Sequence, residues 1–243
     1  MATAAMLGTQ TAERRFFARM AIVMIVFTLI GFAPSFYLRG LVHYPRPNPT
    51  LNPLIILHGV MFTVWLLIFW TQTALIGAGR RDLHMKLGVG GMLLAVALVP
   101  VMYLTAVGGV ARASAPPFTT PLAWTAVPLA ALAAYVPLVA LGWYHRRNAQ
   151  AHKRLMLCAA LIFMGPAIGR FPIAPPVLIG HAIQQTLAWS TVLPLFVYDR
   201  SALGRIHWAT KLGAGVLATE VILGIAGIVT PGWSSIAAQL PGL

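Results

Sequence analysis

Acidic residues are almost missing from this chain. Glu13, Asp82, Asp199 and Glu220 are the only four in 243 residues. Charged residues of both signs reach only 9%, whereas a soluble domain carries roughly 25%. Such a chain cannot clothe a water-facing surface of ordinary polarity. Cysteine is nearly absent as well. The one cysteine, Cys158, cannot close an intrachain disulfide, and no C-x-x-C or C-x-x-C-H occurs. A disulfide scaffold, iron–sulfur ligation and covalent c-type haem attachment therefore lack their residues. Neither H-E-x-x-H nor a Walker or dinucleotide fingerprint is present. What the chain has in excess is apolar: 59% of its residues are hydrophobic. That excludes disorder and requires side chains that face lipid.

A spanning helix needs about 20 mostly apolar residues. Seven stretches meet this description: 19–38, 53–76, 86–110, 121–143, 153–171, 176–198 and 207–229. The first has the basic preceding region of a signal peptide, but its apolar run is long and reaches Arg39 without a clear small-residue cleavage site, so it reads as a retained helix. The expected fold is an all-α, seven-transmembrane-helix bundle. Residues 1–18 form a cytoplasmic segment, 19–230 the membrane domain and 231–243 a short external tail. The 17 basic residues give a net charge of +13, which in a soluble protein would suggest nucleic acid. Their distribution says otherwise. Thirteen fall on one side of the expected bundle, while Arg39, Arg46, Arg112 and Arg170 fall on the other. The positive-inside rule then places the N-terminus in the cytoplasm and the C-terminus outside. The charge reads as topology, the partner as a lipid bilayer, and nucleic acid is not expected.

Polar groups at membrane depth are costly and carry the functional signal. The histidines sort into levels. His58 and His181 sit toward the outer ends of their spans. His84, His145, His152 and His207 sit at the inner end, and His43 lies in the first outer loop. Two imidazoles on different helices at one depth can clamp a haem axially. His58 with His181 would form an outer site, and His84 with His152 an inner one. Arg39 and Arg170 would meet outer propionates, Arg81 or Arg154 inner ones. Packing, or a proton, quinone or small-molecule site, would use the same outer residues. A second constellation, His84, His152 and His207, would hold zinc or nonhaem iron, with Asp82 and Asp199 available for acid–base work. Glu220 is the one acid inside a span and reads as a proton-handling group or a buried hydrogen-bonding one. Gln184 lies three residues after His181, in place to orient that ring or to bond another helix. Pro166, four residues before Arg170, reads as a packing adjustment or as a device that positions the arginine.

The segments HGVMFTVWLLIFWTQTALIGAGRRDLHMKLGVGG and AHKRLMLCAALIFMGPAIGR carry a family resemblance. The recognisable parts are His58-Gly59, Gln72, Gly79-Arg80 with His84 and Leu87-Gly88, then His152 with Arg154-Leu155-Met156 and Arg170. In these the chain resembles the DUF2306-like bacterial membrane proteins over roughly residues 53–171. The resemblance implies a multispan architecture in a bacterial inner membrane and no particular reaction. Paired histidines at two levels also give a looser likeness to cytochrome b561-type proteins. The expected function is a haem-b-binding membrane protein that passes electrons between a quinol or soluble redox partner and an acceptor. A nonenzymatic transporter or accessory subunit of a membrane complex, and an integral-membrane metal hydrolase, are the alternatives.

Overall fold

In the computed structural model, the structure describes residues 2–42, 51–171, 173 and 176–242, with side chains from Thr11 onward. His43 and Arg46 lie outside the described residues. The described chain is helical throughout. Helix α1, Ala2–Phe32, runs on through a π-helical turn, Ala33–Tyr37. It is followed by α2, Pro53–Gly77; α3, Arg81–Ala111; α4, Pro121–Trp124; α5, Ala126–Tyr144; α6, Ala149–Leu161; and α7, Met164–Ile168. The chain then forms α8, Leu178–Ser190; α9, Leu193–Leu203; α10, Trp208–Val229; and α11, Pro231–Ala237. Local sequence sets several starts. Asn52 accepts a hydrogen bond from the Ile55 amide at 2.9 Å, with Pro53 at the first helical position. Thr120 and Asn148 cap α4 and α6 in the same way. Each side-chain oxygen satisfies an amide that has no partner within its own helix.

Six helical segments are long and apolar enough to cross a membrane: Thr11–Tyr37, Pro53–Gly77, Arg81–Ala111, Pro121–Tyr144, Ala149–Ile168 and Trp208–Val229. The protein is thus all-α with the make-up of a multispan membrane protein. The stretch expected as the sixth crossing, 176–198, is divided. Its parts, α8 and α9, have 13 and 11 residues, which rise about 20 and 17 Å against a hydrocarbon core of about 30 Å. Pro194 explains the division, because it offers no amide proton and its ring crowds the carbonyl of the preceding turn. The hydroxyls of Ser190 and Thr191 also donate to the carbonyls of Leu187 and Ala188, at 2.7 and 2.6 Å.

The segment Ala149–Ile168 is the central pillar. Within its most apolar stretch 78% of the residues are buried, against 17–44% in the other five. Small residues let its neighbours approach closely. A side chain at Gly31 of α1 would run into the backbone of Ala167, and one at Gly213 of α10 into the Cys158 sulfur. This is the packing of membrane helices that gain contact by bringing backbones together. It also accounts for Cys158, a buried small residue under α10.

Candidate functional site

The structure brings His84 and His152 together. His84 lies in the first turn of α3 and His152 in the first turn of α6. Their ring centroids are 6.3 Å apart with planes at 85°. The Nδ1 of His152 is 2.8 Å from the Gly142 carbonyl oxygen on α5. A carbonyl only accepts, so Nδ1–H donates, and the neutral ring keeps its lone pair on Nε2. The Nδ1 of His84 is buried with no hydrogen-bond partner, and so is the Oε1 of Gln72. Gln72, near the end of α2, lays its amide nitrogen against Gly88, one turn beyond His84. Three helices thus bring two imidazoles and an amide to one end of the bundle; His84 bonds the Gln72 backbone, while its Nδ1 and the Gln72 Oε1 stay unused.

His58 and His181 have different neighbours. His58 faces Phe62 at 4.5 Å and lies within electrostatic reach of Arg170. His181 is buried between Phe118 at 5.8 Å and Trp124 at 5.1 Å. Neither ring contact nor hydrogen bond joins His58 to His181 among the described residues. Even so, His58 Nδ1 and His181 Nε2 are each buried without a partner. The π-helical turn is pinned beside His58: Phe36 covers Gly59, and Tyr37 donates to Thr63 at 2.8 Å, whose hydroxyl donates to the Gly59 carbonyl at 2.7 Å. Arg39 donates to the Ser35 carbonyl at 3.4 Å. Arg170 donates to the Pro166 carbonyl at 2.7 Å and lies 4.1 Å from the Phe32 ring centre. The contact is to the backbone carbonyl of residue 166, which any residue there would supply. Gln184 bonds the Phe171 carbonyl at 2.9 Å, so it ties α8 to the turn after α7.

Between the two levels runs a line of rings. Positions 58, 62, 65, 69 and 72 of α2 are spaced four and three apart and share one face. Phe62 meets Phe163 at 4.4 Å, and Phe163 meets Trp65 at 5.1 Å. Trp65 in turn reaches Phe69 and Tyr135, each at 6.0 Å. The 14 residues from His58 to Gln72 rise about 21 Å, most of the way across an apolar core. Phe163 comes from the junction of α6 and α7, and Tyr135 from α5. The spacing on α2 was a readable sign of this line; its two contributions from elsewhere had no sign in sequence.

A second polar assembly uses residues expected elsewhere. Arg154 is wholly buried against Asp199: Nε and Nη2 donate to Oδ1 at 2.8 and 2.5 Å. The other oxygen of Asp199 accepts from the His207 amide at 2.9 Å and the Thr210 hydroxyl at 2.6 Å. Arg154 Nη1 donates to the carbonyl and the side-chain oxygen of Gln150. With its donors so committed, Arg154 is a structural cation and not a partner for a bound anion. Beside it, Glu13 pairs with Lys153 at 2.5 Å and accepts from the Tyr198 hydroxyl at 2.9 Å. His207 belongs to this assembly. Its Nδ1 accepts from the Ala209 amide at 3.1 Å and so caps α10. Burial, and then the nearby Arg154 charge, hold its pKa below the ordinary 6.5, against the pull of Asp199. Among the described residues no group of three or more His, Cys, Asp or Glu converges to hold a metal ion. Glu220 makes no hydrogen bond or ion pair among the described residues.

Together these features define an all-helical protein with the make-up of a multispan membrane protein, in which His181 is buried and His58, His84 and His152 are half-buried. No family model, curated protein or solved structure matches the chain.

Proposed function

We propose that this protein binds haem b and carries electrons through the membrane, and the observation that carries the reading is the His84–His152 pair. Two imidazoles that share one metal, each bonded at about 2 Å, hold their ring centres about 6 Å apart, close to the 6.3 Å found. The Gly142 carbonyl fixes the tautomer of His152 and leaves Nε2 to act as a ligand, the outer-shell device common to metal-binding histidines. The unpartnered nitrogens of His84, His58 and His181 fit the same use. His84 and His152 would hold the inner group, and His58 and His181 would serve the outer level, where Arg39 and Arg170 supply positive charge. When bound, the haem iron supplies the one-electron redox change. The chain's own part is to fix the ring tautomers, exclude water and fill the interval between levels with closely spaced rings.

The same reading has the chain cross the membrane seven times, with α8 and α9 as one broken crossing, the N-terminus cytoplasmic and the C-terminus external. It places the protein in a bacterial inner membrane among DUF2306-like proteins, with a quinol or soluble redox partner. The unpaired Glu220 at mid-depth favours a second reading, in which the chain is a transporter or an accessory subunit of a larger membrane complex.

A reduced-minus-oxidised visible spectrum of protein purified in detergent after haem-sufficient expression tests the proposal. Soret and alpha-band changes are expected, weakened in His84→Ala and His152→Ala. A flat difference spectrum from folded protein would overturn it. Stoichiometric zinc or nonhaem iron in that same sample would move the assignment to a metal site.

A further inference from the structure

The inner flank of the bundle carries an open groove where α9 passes α1. It encloses about 590 Å³ and is lined by Phe16, Leu193, Pro194, Val197, Tyr198 and Ser201. A second hollow of about 500 Å³ shares Val197 and Ser201 with it and is lined further by Phe196, Arg200 and Ile206. The two therefore run on from each other around the outward face of α9. Phe16 and Tyr198 form the floor, stacked at 4.4 Å. Val197 is 70% exposed at the centre.

The groove is apolar along its length and cationic at one end. Leu193 to Ser201 rises about 12 Å, close to the roughly 15 Å depth of one apolar leaflet. At the Ser201 end stands Arg200, exposed, with one hydrogen bond, from Nη1 to the Gly204 carbonyl at 2.9 Å. Arg205 follows just beyond the Gly204 cap, and Arg15 precedes Phe16 on α1. No free carboxylate offsets them. Glu13 is engaged by Lys153 and Tyr198, and Asp199 is buried against Arg154. An apolar channel one leaflet deep, closed at the water side by uncompensated guanidinium groups, matches an acyl chain joined to a negative headgroup.

We infer that this groove binds an anionic phospholipid of the inner leaflet, with an acyl chain along Phe16, Leu193 and Val197 and the phosphate at Arg200. The choice of leaflet rests on the orientation proposed above, but neither the histidines nor a haem enters the lipid contact, so the two are tested separately.

Native mass spectrometry of the full chain in neutral detergent tests it, with phosphatidylglycerol and phosphatidylcholine of the same acyl composition as probes. Phosphatidylglycerol is expected to be retained about fivefold more strongly, the worth of roughly one basic residue at a charged membrane surface. Arg200→Gln should bring the two lipids to parity, and Val197→Trp should fill the groove and lower retention of both. Thermal melting of each variant checks that it folds, as it should, because Arg200 and Val197 lie outside the Arg154 assembly. Equal retention of the two lipids by the unaltered protein would overturn the inference. So would undiminished preference in Arg200→Gln, or displacement of the lipid by inorganic phosphate alone.

Discussion

Arg154 of α6 and Asp199 of α9 form an ion pair with neither side chain exposed, 45 residues apart in the chain. The pair ties the central pillar to the broken helix, and through His207 and Thr210 to the start of α10. Removing one member of a buried pair leaves the other charge without compensation, which typically costs about 3–5 kcal/mol. Asp199→Asn and Arg154→Met should each lower the melting temperature in detergent markedly. The double variant Arg154→Met/Asp199→Leu should recover only part of the loss, since the His207 amide and Thr210 hydroxyl would remain without their acceptor.

His207 gives a pH dependence with a definite sign. Its folded pKa lies below 6.5, and its Nδ1 must be unprotonated to accept from Ala209. Below about 6.5 the unfolded chain takes up a proton that the folded ring resists. Stability is therefore present above that value and declines as pH falls through it toward the lower folded pKa. Melting curves between pH 7.5 and 5 should show the decline. His207→Asn keeps a capping acceptor and does not titrate, so it should show a shallower decline. His207→Ala should also lose the cap, about 1 kcal/mol at all pH values.

The two histidine levels should respond independently. His84→Ala should remove one component of the redox difference spectrum and His58→Ala another, and the double variant should lose the sum. A double variant that loses no more signal than either single variant would mean one shared centre and would sink the two-level arrangement.

The ring line between the levels makes a separate demand. Trp65 and Phe163 are buried, so Trp65→Ala or Phe163→Ala should cost about 3–5 kcal/mol in stability. Trp65→Leu fills more of the space without a ring. In vesicles with a trapped reductant and an external oxidant, Trp65→Leu should slow electron passage, whereas Trp65→Phe should slow it less. Equal rates in Trp65→Leu and the unaltered protein would remove the line from the electron path.

Much of this was legible in the sequence, and the reason is the bilayer itself. Long apolar runs, capped by Asn52, Thr120 and Asn148, can fold only as helices where no water is available to backbone groups. His84 and His152 were legible as a pair because basic turns on either side fixed their common level. The division of 176–198 turned on Pro194, whose effect on the helix is not registered by hydropathy. Sequence alone leaves Arg81 and Arg154 equally open as anion partners, because the residue that engages Arg154, Asp199, arrives from a distant helix. Tyr135 and Phe163 were illegible for the same reason: ring contacts between helices depend on packing that one strand of sequence does not contain.

The tie between Tyr198 and Glu13 closes over 185 residues. At a synthesis rate of about 5–20 residues per second, Tyr198 emerges roughly 9–37 s after Glu13. Through that interval the foot of α1 has no Tyr198, and for most of it no Lys153, to engage its carboxylate. The foot of α1 is thus tied to α6 and α9 only late in synthesis, although the same helix already packs against α2. An early loss of Glu13 would be felt as slow or wrongly ordered assembly before it was felt as weakness of the finished bundle.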